Sequence, residues 1–444
     1  MLRIPTLLSV ALALTAVAPA IVPSAARAEA RPFEGTTLRV LSINQPWGVA
    51  IKSLAKEFEE QTGAKVQFDY YAFDQTVQKV SVELSARSPA YDVVFLEASD
   101  IPRWAVGERL APLDKAVAGS KTFDAADFVP STIAGHSYGG KLYGLPYSAA
   151  TQVLYFRGPV LKQAGFNLPP ATWDEFLRMC AKLHTQQMAC TAVRGKPSAS
   201  ENIWYWTQIF LGYGGNWVVD FPKDMTPTIN SPEAVKALDV YKKLVTDYGI
   251  PGSVSAGFDE VVVALQQGNV AMAVEGAPLA GRILDPKLSK VGGQLGFAVP
   301  PSGPAGLFAP YTSQGWSVNA ASRHKDAAAA FLMWATGKET MLKVALNANV
   351  VSVTRQSIWG EASFIAKYGY DFGYGSFTQA YANALRAGVP NYRLPIPEFR
   401  EMADRVGLAV QEAVVGTRSP KEALDAAEGD VRKLLAEAGY QIRN

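Results

Sequence analysis

Apolar positions in the first hundred residues switch repeatedly between two periods. Thr37 to Ser42 reads as a strand, after which Ile51, Leu54, Ala55 and Phe58 recur at helical spacing until Thr62-Gly63, where a helix should end. Lys65 to Tyr71 returns to strand, and Val77, Val80 and Leu84 mark a second helix. Val93 to Leu96 is an unbroken apolar run, as expected of a parallel strand covered on both faces. This alternation predicts an α/β domain with a parallel sheet. Glu97, Ser99 and Asp100 follow the last run directly. In open α/β sheets ligands bind beyond the carboxyl ends of the strands, although a plain surface loop would look the same.

Further along, helix starts are well marked. Thr172 with Glu175 and Ser419 with Glu422 have the spacing of capping boxes, while Pro232 and Pro420 suit the first helical position. The segment VPPSGPAG (299–306) punctuates the chain before another strand and helix. No internal repeat or low-complexity tract is visible. Periodicity alone suggests two successive α/β domains, and 444 residues are enough for each to have its own core.

Composition adds an address. Arg3, an apolar run from Leu7 to Val17 and the small-residue site Ala26-Arg27-Ala28 make residues 1–28 an expected signal peptide, cleaved after Ala28. No cysteine follows the run, so no lipid anchor is expected, and no later segment reaches the ~20 apolar residues of a membrane span. Removing Arg3 and Arg27 would leave basic and acidic residues equal in number. Neutrality without a basic run argues against nucleic acid and against electrostatic membrane contact. An exported location permits a disulfide between Cys180, on a helix, and Cys190, in the strand-like segment after it; two buried thiols are the alternative.

Candidate chemistry is sparse. The three histidines, His136, His184 and His324, are widely separated and no cysteine motif accompanies them, so neither a metal nor another cofactor is expected. No nucleophile elbow or phosphate loop occurs, and GYGGNW reads as a helix end and turn. Glu97, Asp100 and Glu275 could serve an exported glycosidase if two of them faced each other across a cleft. Aromatic rings offer another possibility, because the C–H faces of sugars stack on indole or phenol. Trp47, Trp204, Trp206, Trp217 and Trp316 are the candidates, each with core packing as its alternative. Trp47, in INQPWG after the first strand, and Trp316, in SQGWSV, are favoured.

PAYDVVFLEASDIPRWAVGERLAPLD (89–114) resembles the family 1 extracellular solute-binding proteins, maltose-binding-protein-like receptors that feed carbohydrates to ABC importers. The similar segments KLYGLPYSAATQVLYFR (141–157), AGFNLPPATWDEF (164–176), FDEVVVALQQGNVAMAVEG (258–276) and GWSVNAASRHKDAAAAFLMWAT (315–336) extend it over nearly the whole chain after the signal segment. The resemblance implies a periplasmic-binding-protein-like α/β fold of two lobes around a ligand cleft. The chain would cross between lobes near Tyr147 to Leu154, Val299 to Ser302 and Thr336 to Leu346. Residues 29–146 plus 303–340 would form the first lobe, and 147–302 plus 341–444 the second.

It further implies a periplasmic monomer without enzymatic activity that closes on a sugar or sugar alcohol and delivers it to membrane permease subunits. The implied ligand set joins Asn44, Gln45, Trp47, Glu97, Asp100, Tyr147, Gln314, Trp316 and Arg355 to Glu201, Asn202, Trp217 and Glu275. Segments 194–217 and 396–416 resemble the polyol-type branch, although Ala150 stands where that branch often has an acidic residue. A polyamine is the other binding reading, since tryptophan rings beside Glu97, Asp100 and Glu275 would suit an ammonium group.

Overall fold

The computed structural model describes residues 31–389 and 392–443; the expected signal peptide lies outside them. Eight strands build two sheets: β1 (Thr37–Ile43), β2 (Lys65–Tyr71), β3 (Val93–Glu97), β4 (Gly144–Ala150), β5 (Gln152–Arg157), β6 (Met272–Gly276), β7 (Leu295–Ala298) and β8 (Thr312–Val318). The first sheet runs β2-β1-β3-β8-β4 and the second β6-β5-β7. β1, β2 and β3 are parallel, as the alternation of strands and helices predicts, and β8 enters antiparallel between β3 and β4. All five residues of β3 are buried, which accounts for its unbroken apolar run.

The helices used below are α1 (Pro46–Thr62), α2 (Phe73–Ser85), α3 (Ile101–Val106), α4 (Trp173–Leu183), α5 (Asn202–Gly212), α6 (Pro232–Thr246), α7 (Phe258–Gln267), α8 (Lys325–Ala335), α9 (Lys338–Ala348), α10 (Phe377–Arg386), α11 (Phe399–Val415) and α12 (Pro420–Glu437). Local chemistry sets their ends. Pro46 opens α1 and Gly63, at φ 81°, closes it in the left-handed region. Ser419 and Glu422 make the full capping box of α12. At α4 Thr172 accepts from the Glu175 amide, but the Glu175 carboxylate reaches back to the Ala171 amide, one residue further than the box requires. Cys180 and Cys190 form a disulfide with Cα atoms 5.1 Å apart, tying the end of α4 to the following segment.

One apolar cluster runs through both sheets, with Leu145 and Trp316 from the first, Phe58 of α1 and Phe331 of α8 beside it, and Val153, Tyr155 and Ala273 from the second. A second cluster, rich in tryptophan and tyrosine, fills the helical body around α4, α5, α6, α11 and α12. Packing keeps the first crossing within its expected span but shifts the lobe boundary there, and it moves the third crossing. β4 belongs whole to the first sheet, so the division between residues 146 and 147 falls inside a strand, and the chain changes sheet at Thr151. Just after residue 340 the chain stays with the first sheet, and only later do α11 and α12 join the second body. α9 buries Met341, Val344 and Ala345 against α1, Thr354 Oγ1 donates to the Pro146 carbonyl at 2.8 Å, and only α10 packs on β5 and β7. An apolar face follows the core it can cover, and for α9 that core includes Phe58.

His136 is enclosed behind β8. A Cβ at Gly144 or Gly315 would run into its ring, so both positions require glycine. Nδ1 lies 3.0 Å from the Thr132 carbonyl, and burial lowers the imidazole pKa to about 4. The unfolded chain therefore takes up a proton below the ordinary value of 6.5, while the folded chain refuses it until about 4. Relative to His136→Gln, the wild type should keep its full stability above pH 6.5 and lose about 1.4 kcal/mol per pH unit below that, down to pH 4. Urea midpoints of both proteins at pH 7.5, 5.5 and 4.5 check this; a constant difference would mean that His136 titrates alike in both states.

Candidate functional site

β1 hands the chain to α1 through Asn44 and Gln45, which places Trp47 in the first turn of the helix, beside β4. Its indole stacks on Tyr147 with centroids 5.2 Å apart and planes 1° from parallel. Trp316, on β8, tilts against Tyr147 at 4.9 Å. Trp316 is wholly enclosed and its Nε1 donates to Ser42 Oγ at 3.2 Å, so it backs the stack rather than facing a cleft. The Trp47 Nε1 and the Tyr147 hydroxyl are buried and have no protein partner. Burial, reinforced by nearby Glu97 and Tyr70, holds the Tyr147 phenol well above its usual pKa and hence neutral.

The second body supplies a complementary set. Gln152 starts β5 immediately past the crossing, and its side-chain oxygen accepts from Gln208 Nε2 on α5. Gln152 Nε2, a donor, and Gln208 Oε1, an acceptor, are both buried without partners. A hydroxyl donates and accepts at once, so this pair fits one. Trp204 sits four residues before Gln208 on the same helix face, with a buried, unpartnered Nε1. Thr151 Oγ1, at the crossing itself, is likewise unpartnered.

Charges line the same seam in matched pairs. Glu97 Oε2 accepts from Arg393 Nη1 at 3.1 Å and from Arg400 Nη2 at 3.3 Å, while Arg400 Nε and Nη2 donate to Asp100 at 3.1 Å each. Arg194 grips Glu275 through Nε, at 2.9 Å, and Nη2, and lies 4.5 Å above the Trp204 ring. Glu201 is 3.5 Å from Arg194. Burial, aided by Glu275, outweighs Arg194 and Lys196 and pushes the Glu201 carboxyl up to about 7.

Several expected ligand residues have other work. Asn202 donates to the Gly407 carbonyl at 2.8 Å and accepts from the Ser198 amide at 3.0 Å, which fastens the start of α5 to α11. Trp217 donates to the Tyr392 carbonyl at 3.0 Å and packs edge-on against Trp206, Phe210 and Phe399 in the core. Arg355 donates to the Thr336 and Asp124 carbonyls at 2.6 Å each, pairs with Asp127 and covers the Phe123 and Phe128 rings, all within the first body. Glu275 is fully buried on Arg194. Asn44 is exposed, Gln45 is half-buried, and Gln314, half-buried, lies opposite Glu97 and Ser148 across the strand pairs.

Gln152, Gln208, Arg194, Arg393 and Arg400 were not read from the sequence. Gln208 left a signal, a polar residue inside the apolar run of α5; Arg393 and Arg400, about 300 residues from Glu97, left none. A surface hollow of about 1030 Å³ bordered by His184, Asp247 and Asp259 lies away from the seam. A smaller one, about 200 Å³, opens beside Asp100 and Arg400. Among the described residues no three His, Cys, Asp or Glu side chains form a metal-binding group, and no helix is long and apolar enough to cross a membrane.

Two α/β bodies joined by a crossing chain, with unpartnered hydroxyl-compatible groups along the seam, define a two-lobed protein built to enclose a small solute. The chain matches the bacterial extracellular solute-binding protein family over residues 44–342 and belongs to that family. It is 27% identical to a mannitol-binding protein of Pseudomonas aeruginosa over 429 residues, covering 91% of this chain and 94% of that one. It is also similar to an ABC transporter solute-binding protein from Agrobacterium vitis solved with bound D-mannitol, at 27% identity and a TM-score of 0.80 over 91% of this chain and 99% of the other. One from Agrobacterium radiobacter in complex with ribitol is 26% identical, with a TM-score of 0.81 over 91% and 100% of the two chains.

The pairing of Glu275 separates a structural role from a ligand contact. Glu275→Ala leaves the buried Arg194 with Glu201 as its remaining carboxylate, and should lower stability without solute by about 3 kcal/mol, the low end for a broken buried pair. Urea unfolding measures it. An unchanged midpoint would mean that Glu275 is free to serve the ligand.

Proposed function

We propose that this protein is the exported receptor of an ABC importer and that it closes its two lobes on a neutral polyhydroxylated solute, an acyclic sugar alcohol before a sugar. The free donor of Gln152 beside the free acceptor of Gln208 carries this reading, since the pair asks for a group that both gives and receives a hydrogen bond. Trp47, Tyr147, Thr151 and Trp204 add further polar atoms, and the Trp47 ring offers an apolar face. The mannitol- and ribitol-bound relatives favour a polyol of five or six carbons despite Ala150.

Charge pairing favours an uncharged solute. Glu97, Asp100 and Glu275 each accept hydrogen bonds from arginine, so a polyamine would have to displace a guanidinium to reach them. The same engagement weighs against a glycosidase, which needs two carboxylates flanking a bond with one free to give a proton. Glu201, the carboxyl raised to about 7, shares Arg194 with Glu275 inside one lobe, and the carboxylates across the seam, Glu97 and Asp100, are held by Arg393 and Arg400. No covalent step is required. Solute bound between the lobes favours the closed form because only closure brings both sets of groups to it. The permease would recognise the surface that closure assembles, and release from the membrane into the periplasm would follow cleavage after Ala28.

Thermal unfolding of the protein from residue 29, with D-mannitol, ribitol, maltose or spermidine, tests the reading. At 100 times its dissociation constant a solute adds about 2.7 kcal/mol, which for a chain of this length raises the midpoint by about 3 °C. Mannitol or ribitol should do this, and Gln208→Leu should abolish the shift. A shift with spermidine alone would replace this reading with the cationic one.

A further inference from the structure

We propose that Arg393 and Arg400 form, with Glu97 and Asp100, a clasp that holds the lobes shut over the solute and sets its rate of release, with Arg400 acting as a positioning residue that does not touch the solute. This rests on the closure reading above. Glu97 ends β3 of the first sheet and Asp100 lies in the helical turn directly after it, in the same lobe; Arg400 lies in the first turn of α11, which packs on α5, α6 and α12. Every hydrogen bond between these carboxylates and these arginines therefore spans the seam.

Arg393 straddles it more completely. Nη1 donates to Glu97 at 3.1 Å and to Ser99 Oγ at 3.4 Å in the first lobe, while Nη2 donates to the Ala199 carbonyl at 3.2 Å in the second. Its Nε is buried with no partner. One guanidinium thus joins both lobes and keeps its Nε donor for the solute between them, so occupancy and closure are read by the same group. Arg400 keeps no unpartnered Nε of this kind: its Nε and Nη2 are spent on Asp100 and Glu97, on the side of the hollow of about 200 Å³.

Opening breaks these bonds and rehydrates all four groups. A ligand-stabilised contact of this kind acts on dissociation, because the lobes meet after the solute has entered. The hollow of about 200 Å³ beside Asp100 and Arg400 lets dissolved ions reach the outer pair, and the Arg400 side chain is 26% exposed. Salt should therefore loosen the clasp.

Stopped-flow tryptophan fluorescence with D-mannitol and ribitol tests this on the wild type, Arg400→Gln, Asp100→Asn and the double variant. Arg400→Gln should raise the release rate about tenfold and change the association rate less than twofold; the double variant should release no faster than Arg400→Gln, since the two share one interaction. Sodium chloride from 0.05 to 0.5 M, to order of magnitude a threefold change in screening length, should speed release from the wild type and leave Arg400→Gln unaffected. If the wild type binds and Arg400→Gln releases at the wild-type rate, the clasp is overturned while the receptor reading stands. If the wild type binds neither solute, the receptor reading fails and the clasp is judged by X-ray scattering of the solute-free proteins. A larger radius of gyration in both Arg400→Gln and Asp100→Asn supports it, and identical radii overturn it.

Discussion

A single residue, Thr151, separates the last residue of β4, an edge strand of one sheet, from the first of β5, the central strand of the other. Two sheets joined through continuous extended backbone cannot drift apart at that point, and Thr151 is held by its carbonyl, which accepts from the Ala277 amide at 2.8 Å. The groups that matter are arranged around this junction. Tyr147 projects from β4 before it, Gln152 from β5 just after it, and Gly276 is the partner of Gln152 on β6. A seam built this way has a fixed end at the crossing and a far end, at Glu97 and Arg400, whose spacing depends on how the lobes swing.

Electrostatics determine what such a seam can accept. Buried charge is tolerated when each ion has a partner of opposite sign, and the pairs Glu275 with Arg194, Glu97 with Arg393 and Asp100 with Arg400 meet that condition. Apart from Arg393 Nε and one Glu201 oxygen, what remains unsatisfied there is neutral and directional: two indole N–H groups, a phenol, a hydroxyl and two amide groups. Unmade hydrogen bonds of buried neutral groups cost about 1 to 3 kcal/mol each, so a solute that makes several of them gains affinity and orientation together. The aromatic layer of Trp47 over Tyr147, backed by Trp316, keeps the first lobe's side of the seam stiff.

Much of this was legible one element at a time. β3 appears as an apolar run because both of its faces are covered, α1 ends where Gly63 can take a positive φ, and α12 begins where Ser419 and Glu422 bond to each other. The places of Trp47 and Tyr147 beside the junction were also within reach, because position after a strand or before a crossing is a local property. Asn202, Trp217 and Arg355 are bonded within their own lobes, which the sequence did not reveal, since residue type says which bonds a side chain can make but not which partner arrives first. Gly407, Tyr392 and Thr336 lie 205, 175 and 19 residues away from them.

The sequence by itself determined the strands and helices, their order, and the family to which the chain belongs, because periodicity, capping and turn chemistry act within a few residues and survive in the linear pattern. Only the tertiary structure decided where the chain changes sheet, which carboxylates are already neutralised, and that Gln152 meets Gln208 and Glu97 meets Arg393. Those outcomes depend on the separation of side chains distant along the chain, and hydrogen bonds and ion pairs fall off within a few ångströms.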